Sequence, residues 1–302
     1  MTATDTDSRR AVTTLSRLAS ERLRSLPTEP RTAKPHPDLL LLSHRRPSDH
    51  LAQVYDPVVC LVVSGEKETA TTERCHTIEP GQFLIVTHDM PVVSRITRAT
   101  PDDPYVAVIL SLDREVLTDL RPHARALAFP EPEDSFALSV GDAGADLIDA
   151  FIRCLRTLDD PHEAEVLFPL ATREVHFRLL DSPQGHTLRR LSLGHRPADT
   201  VARAIAAIRG DLAAKLDVRT LGQRIGLSPS ALHHHFKAVT GTTPIQFQKQ
   251  LRLLEARRLI QSELSVTDAA FTVGYTSPTQ FSREYRRAFG TPPSRDRLSS
   301  PA

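Results

Sequence analysis

Cysteine is scarce in this chain of 302 residues, which holds only Cys60, Cys75 and Cys154. An odd number at wide spacing does not build a disulfide framework, so reduced thiols are expected. No run of about 18 apolar residues occurs, and neither a membrane-spanning helix nor a membrane partner is expected. The opening MTATDTDSRR lacks the basic-then-apolar order of a secretion signal, which points to a cytoplasmic protein. Paired carboxylates, a metal triad and a nucleophile motif such as G-x-S-x-G are also missing. So are the His-x-His pairs that metal-holding barrels place on their strands. These absences weaken an enzyme reading and leave no cofactor, metal site or catalytic residue to expect. Low-complexity segments are missing too.

What is present is ordinary in bulk and uneven in distribution. The apolar fraction of 40% and the charged fraction of 25% suit a soluble globular protein with enough material for two cores. The net charge of +1 conceals a division. Residues 196–302 hold 16 Lys+Arg against 8 Asp+Glu, a net of +8, whereas residues 1–195 hold 22 against 29, a net of −7. A basic third on an acidic body implies a polyanion partner for that third alone.

Residues 1–25 form a polar, Arg-rich leader with a short helical pattern at Leu15, Leu18 and Leu23, and a frayed helix is expected there. The proline-rich stretch 26–50 reads as irregular structure broken by the apolar run Leu39–Leu42. From Tyr55 to Leu112 the period becomes that of strands: Val58–Val63, Phe83–Val86, Pro91–Val93 and Tyr105–Leu112, separated by Ser64-Gly65, Glu79–Gly81 and Pro101–Pro104. A sandwich or small barrel follows. Helical spacing returns over 113–128, 143–158 and about 163–180, with Leu147, Ile148, Phe151, Ile152 and Leu155 as one apolar stripe. Ser182–Gly185 breaks the third helix, and 191–196 reads as a linker. From Pro197 onward the pattern is all helix, in seven segments.

The helical part repeats one order. In Val218–Thr240, Leu221 and Ile225 share a helix face, Gly226 ends that helix, and Leu227 plugs a turn. Ser228 then caps and Pro229 opens a second helix. Its buried side is Leu232 and Phe236, and Ser230, His233, His234 and Lys237 face outward. In Val266–Phe289 the order returns: Val266, Ala270 and Val273, then Gly274, then Tyr275 in the turn, then Ser277-Pro278. Phe281, Tyr285 and Phe289 form the apolar stripe, and Thr279, Gln280, Ser282, Arg283 and Arg286 the polar side. Between them, Thr243 to Ser262 reads as one long helix with Leu251, Leu254 and Leu259 inward. One such motif is as easily a hairpin in any helical domain. Two with matched Ser-Pro caps, in the basic third of the chain, are a pair of helix-turn-helix units.

These segments carry a family resemblance. Residues 197–297 resemble the DNA-binding domain of the AraC/XylS transcriptional regulators through LGQRIGLSPSAL at 221–232, HFK at 235–237 and RLLEARRL at 252–259. Gly274-Tyr275, QFSR at 280–283 and FGTPP at 289–293 are the most specific. Residues 54–191 resemble, more diffusely, the N-terminal domain of one subgroup, through Tyr55–Pro57, Pro80–Phe83, Met90–Val93, Pro104-Tyr105 and Arg189. The resemblance implies an α+β protein of two domains. A cupin-like β-barrel with C-terminal helices, at 26–190, senses a small organic effector or mediates homodimerisation. An all-helical domain at 197–299 places both recognition helices in successive major-groove segments of double-stranded DNA. RNA polymerase is a further partner if the protein is an activator.

Chemistry divides the outward residues. Arg283 suits guanine and Gln280 adenine, each as a bidentate pair. Lys237, Arg286 and Arg287 suit phosphate. Many members of the family carry Arg where His234 stands, which implies weaker discrimination by the first helix. It also implies tighter binding below about pH 6.5, where an ordinary imidazole becomes charged. The run His233–His235 resembles a metal site, but adjacent helical residues diverge by about 100° and cannot converge on one ion. In the N-terminal part, the candidate effector residues are Cys60, His76, His88 and Tyr105. For Cys60 a sensing thiol competes with a small buried hydrophobe. An enzyme that uses the cupin-like domain and an architectural DNA protein without effector are the alternative readings.

Overall fold

The computed structural model describes residues 3–27, 29–71, 74–124, 137–191 and 197–296, and the chain divides into two compact units. The second contains everything from Pro197 on, and the first most of what precedes it.

Among the described residues before Pro197, ten strands form two open sheets. The larger runs β1 (Arg31–His36), β2 (Leu39–His44), β9 (Tyr105–Ser111), β4 (Val58–Ser64), β7 (Gln82–Val86) and β10 (Leu138–Asp142). Its neighbouring strands pair antiparallel throughout, with Leu41 opposite Val108 and Cys60 opposite both Ile109 and Leu84. The smaller runs β3 (Leu51–Tyr55), β8 (Met90–Arg98), β5 (Glu66–Ala70) and β6 (Cys75–Ile78). The barrel expectation is therefore corrected in one respect: each sheet ends in edge strands and neither closes on itself.

Residue alternation gives the larger sheet two faces. Leu39, Leu41, Val59, Leu61, Phe83, Ile85 and Val108 join the helices in one apolar core. Those helices are α1 (Ala3–Leu23), α2 (Arg114–Leu120), α3 (Ala145–Thr157), α4 (Pro161–Leu180) and α5 (Gly185–Leu191). The opposite face carries Cys60, Val62, Leu84 and Tyr105 toward the smaller sheet, as shown by Lys67 Nζ on β5 reaching Cys60 Sγ at 3.6 Å.

Three expectations change here. Residues 1–25 are not a leader set apart: α1 buries Ala11, Leu15, Ala19 and Leu23 in the same core. Its Arg22 also pairs with Asp159 and donates to Leu155 O at 2.7 Å. The stretch 26–50 is not irregular, because β1 and β2 lie in it; Pro35 is accepted since β1 is an edge strand, beside a register shift between Ala33 and His36. The helix expected over 113–128 stops at Leu120 and continues as a 3₁₀ turn at Arg121–His123. Residues 125–128 and 192–196, with nearly all of the expected linker, lie outside the described residues.

The described residues of the C-terminal unit form seven helices: α6 (Pro197–Gly210), α7 (Val218–Ile225), α8 (Pro229–Thr240), α9 (Pro244–Gln261), α10 (Val266–Thr272), α11 (Pro278–Phe289) and α12 (Pro293–Asp296). The long connector α9 has no single inward stripe. Phe247 meets Phe236 edge-on at 5.2 Å, while Leu253, Ala256 and Ile260 belong to the core under α10 and α11. A helix that serves two cores buries positions around its circumference. That is why Leu253 is buried where Leu254 was expected, and why Leu254 and Leu259 are only half-buried.

Candidate nucleic-acid interface

The second helix of each motif, α8 and α11, starts on a serine cap. Ser228 Oγ accepts from Ala231 N–H at 3.2 Å, and Ser277 Oγ from Gln280 N–H at 3.3 Å, each followed by proline at the first helical position. The caps satisfy amide groups that would otherwise point unpaired from a helix start. Preceding each turn is a left-handed glycine, Gly226 at φ 80° and Gly274 at φ 89°. At Gly274 the space is closed as well, since a Cβ there would stand 2.2 Å from Ala213 O.

Helix α8 buries Leu232, Phe236 and Val239 and exposes Ser230, His234 and Lys237, with His233 half-buried beside them. Steps of three and four residues put these on one face. His235 is half-buried, and its ring meets that of His234 at 5.4 Å. On α11, Phe281 and Tyr285 are buried within a chain of edge-on rings, Tyr275–Phe281–Tyr285–Phe289, at 5.2, 5.4 and 4.5 Å. Thr279, Gln280, Arg283, Arg286 and Arg287 are exposed and Ser282 is half-buried.

Several residues that position this surface escaped the sequence reading. Glu284 lies on α11 itself. It accepts from Tyr275 Oη at 2.8 Å and Gln280 Nε2 at 3.3 Å, and pairs with Lys249 of α9 at 2.8 Å. Burial pushes its carboxyl up, but those three donors overcome burial and hold it below the usual range. Gln280, offered above as an adenine reader, thus has its amide N–H engaged within the helix. Arg252 of α9 donates to Leu212 O, Ala213 O, Ala214 O and Gly274 O at 2.8–3.1 Å. Asp296 of α12 is buried, accepts from Tyr285 Oη at 2.6 Å and pairs with Arg257 at 2.8 Å. The one legible signal was Glu284, an acid in the middle of a helix otherwise rich in arginine.

Residues 35–187 match the family described as AraC-type transcriptional regulator N-terminus, and residues 221–299 match a helix-turn-helix domain family. The chain belongs to the AraC-type transcriptional regulators. The transcriptional activator NphR of a Rhodococcus species is 29% identical over 241 residues, covering 78% of this chain and 68% of that protein. The HTH-type transcriptional activator RhaS of Escherichia fergusonii is 34% identical over 140 residues, covering 45% of this chain and about half, 49%, of its own length. Among solved structures, apo ToxT K231A of Vibrio cholerae superposes with a TM-score of 0.58 at 10% identity, over 88% of this chain and 99% of that one. ToxT bound to an unsaturated fatty acid gives 0.55 at 10% identity, over 87% and 96%. At that identity the likeness concerns the fold alone. The protein is accordingly a DNA-binding transcriptional regulator of two units, one β-rich and one helical, and its relatives are regulators rather than enzymes.

The four effector candidates of this AraC-type protein are placed differently. Cys60 and Tyr105 are buried between the two sheets, together with Lys67. Burial raises the Tyr105 phenol well above its ordinary range, which keeps it a neutral donor. His76 is half-buried on β6, its imidazole lowered by burial and by Arg74. His88 is buried in the turn after β7, where its Nδ1 meets Thr87 Oγ1 at 2.8 Å. Lys67 was missed because EKET reads as a charged turn; strand alternation instead turns Lys67 and Thr69 inward and Glu66 and Glu68 outward.

Proposed function

We propose that this regulator is an activator that reads two successive major-groove segments with α8 and α11. In this reading Arg283 and Gln280 are the base readers of the second segment, with Thr279 and Ser282 beside them. Ser230, His233 and His234 read the first, and Lys237, Arg286 and Arg287 hold phosphate. The observation that carries it is the repeated cap, turn and exposed polar face on one basic unit. Connector α9, with 18 residues, is about 27 Å long, a length comparable to the roughly 34 Å of one DNA turn.

The N-terminal unit is proposed to bind a small organic effector, which the ToxT structures support as proteins of like fold seen with an acid bound. It is also proposed to pair two copies, and the exposed apolar residues Val166, Leu167 and Leu170 on α4 support that. RNA polymerase is the partner an activator requires, and no catalytic activity of its own is proposed. Genome-wide mapping of bound DNA tests the reading and supplies the operator. With that operator, Arg283→Ala should lose discrimination at one position, by about 1–3 kcal/mol. Equal affinity of wild type for all four bases at every position would sink the assignment.

A further inference from the structure

Lys67 is a buried cation with no carboxylate partner among the described residues. It is 5% exposed on the inner face of β5. Its Nζ donates to Tyr55 Oη at 3.2 Å and to Cys60 Sγ at 3.6 Å, and stands 5.1 Å from the centre of the Tyr55 ring. Among the described residues, the groups that act on the ammonium are Cys60, Tyr105 and Tyr55, two phenols and a thiol. Burial pushes the ammonium down, and its coupling to those three groups pushes it up. A charge withdrawn from water without a counter-ion costs free energy that the fold alone does not repay.

Two further polar atoms on the same inter-sheet side are in a similar position. Thr69 Oγ1 belongs to a fully buried residue and has no hydrogen-bond partner among the described residues, and the fully buried Tyr105 hydroxyl has only the weakly accepting Cys60 thiol beside it. Buried polar groups are nearly always satisfied, so unsatisfied ones around a lone cation ask for an acceptor.

Cover over this region is uneven. Leu40 and Leu42 of β2 and Ile109 of β9 face the smaller sheet but are only half-buried. His44, opposite Tyr105 in the ladder and 6.3 Å from its ring, is half-buried too, as is Tyr55. An apolar strip with access to solvent therefore runs beside the cation and the Tyr105 phenol. A carboxylate has two oxygens for these donors. A phosphate dianion would need more donors than one ammonium and the hydroxyls beside it, and a neutral carbonyl would leave the charge uncompensated.

We propose that Lys67, with Tyr105 and Tyr55, anchors the carboxylate of a small apolar organic acid whose body lies along Leu40, Leu42 and Ile109. This rests on the effector reading above and names the effector's class. With the site empty, Cys60 and Tyr55 hold the ammonium.

The test is calorimetric titration of the full chain with 4-phenylbutyrate and decanoate, each beside its primary amide. Wild type should bind the acids at least tenfold more tightly than the amides. Lys67→Met should lose at least tenfold for the acids, and Tyr105→Phe severalfold. Without ligand, Lys67→Met should melt no lower than wild type, because an apolar stem of similar length replaces an unpaired charge. Should that variant not fold, Tyr105→Phe and the acid-to-amide contrast in wild type decide alone. The proposal is overturned if wild type binds neither acid, if amides bind as well as acids, or if Lys67→Met binds acids undiminished. Failure of the effector reading looks different: no compound of a broad metabolite library, acid or neutral, shifts the melting of wild type. A shift with neutral compounds only removes the acid anchor and leaves that reading standing.

Discussion

Glu284 shows how a single residue can oppose the charge of its surroundings and still serve them. An acid on a helix proposed to meet DNA would repel phosphate, yet this one draws Lys249, Tyr275 and Gln280 together and so fixes the angle of α11 against the connector. His176 of α4 shows a second residue-scale effect, in the N-terminal unit. Its Nε2 accepts from Asp113 N–H at 2.9 Å and its Nδ1 faces Thr172 O at 2.7 Å, so the neutral ring with a proton on Nδ1 satisfies both. Burial pushes its imidazole below the ordinary 6.5, against weaker upward pulls from Thr172, Asp113 and Asp38. The unfolded chain then binds the extra proton first. The stability His176 contributes is full above about pH 6.5 and is lost as pH falls through the lowered folded value. Urea midpoints at pH 7.5 and pH 5.5 should fall further for wild type than for His176→Gln. An equal fall in both would remove the assignment.

At the scale of elements, Arg252 is the tie between the two helix-turn-helix halves. One guanidinium on α9 reaches three carbonyls before α7 and one in the turn before α11, where Gly274 permits the close approach to Ala213. Hydrogen bonds to a charged donor contribute about 1.5–3 kcal/mol each when buried, and this partly exposed set contributes less per bond. Arg252→Met should cost about 2 kcal/mol. It should also speed amide hydrogen exchange at 211–217 and at the Gly274 turn, with α8 protected as before. Unchanged exchange at both places would show that the halves are tied elsewhere. None of this was legible in the sequence, although the helices themselves were. Caps, glycines and the 3.6 period are local signals, and they located α8 and α11 from Ser228-Pro229 and Ser277-Pro278. Arg252, Asp296 and Lys67 act through partners on other elements, 22 to 40 residues away for Arg252, 11 and 39 for Asp296, and 7 and 12 for Lys67, which periodicity does not encode. The same holds for β1 and β2: prolines masked an edge strand whose tolerance of Pro35 depends on having no neighbour on one side.

For the whole molecule, the proposed pairing of two copies turns on helix α4. Helix α4 is buried along Phe168, Ala171, Val175 and Leu179, as a core helix should be. Yet Val166 is 58% and Leu170 60% exposed, with Leu167 beside them, on a helix whose remaining apolar residues are mostly inside. Scattered apolar residues on a surface need no explanation, but three within five positions on one helix make a patch that a second copy can cover. Because the side chains are exposed, Leu167→Asp with Leu170→Asp should leave the melting temperature of the monomer nearly unchanged. Sedimentation velocity at micromolar concentration should shift from dimer to monomer, and the footprint on the mapped operator should shrink by one half-site. A double variant that stays dimeric, or a wild type that is already monomeric with a full footprint, would mean that this patch on α4 does not pair the copies.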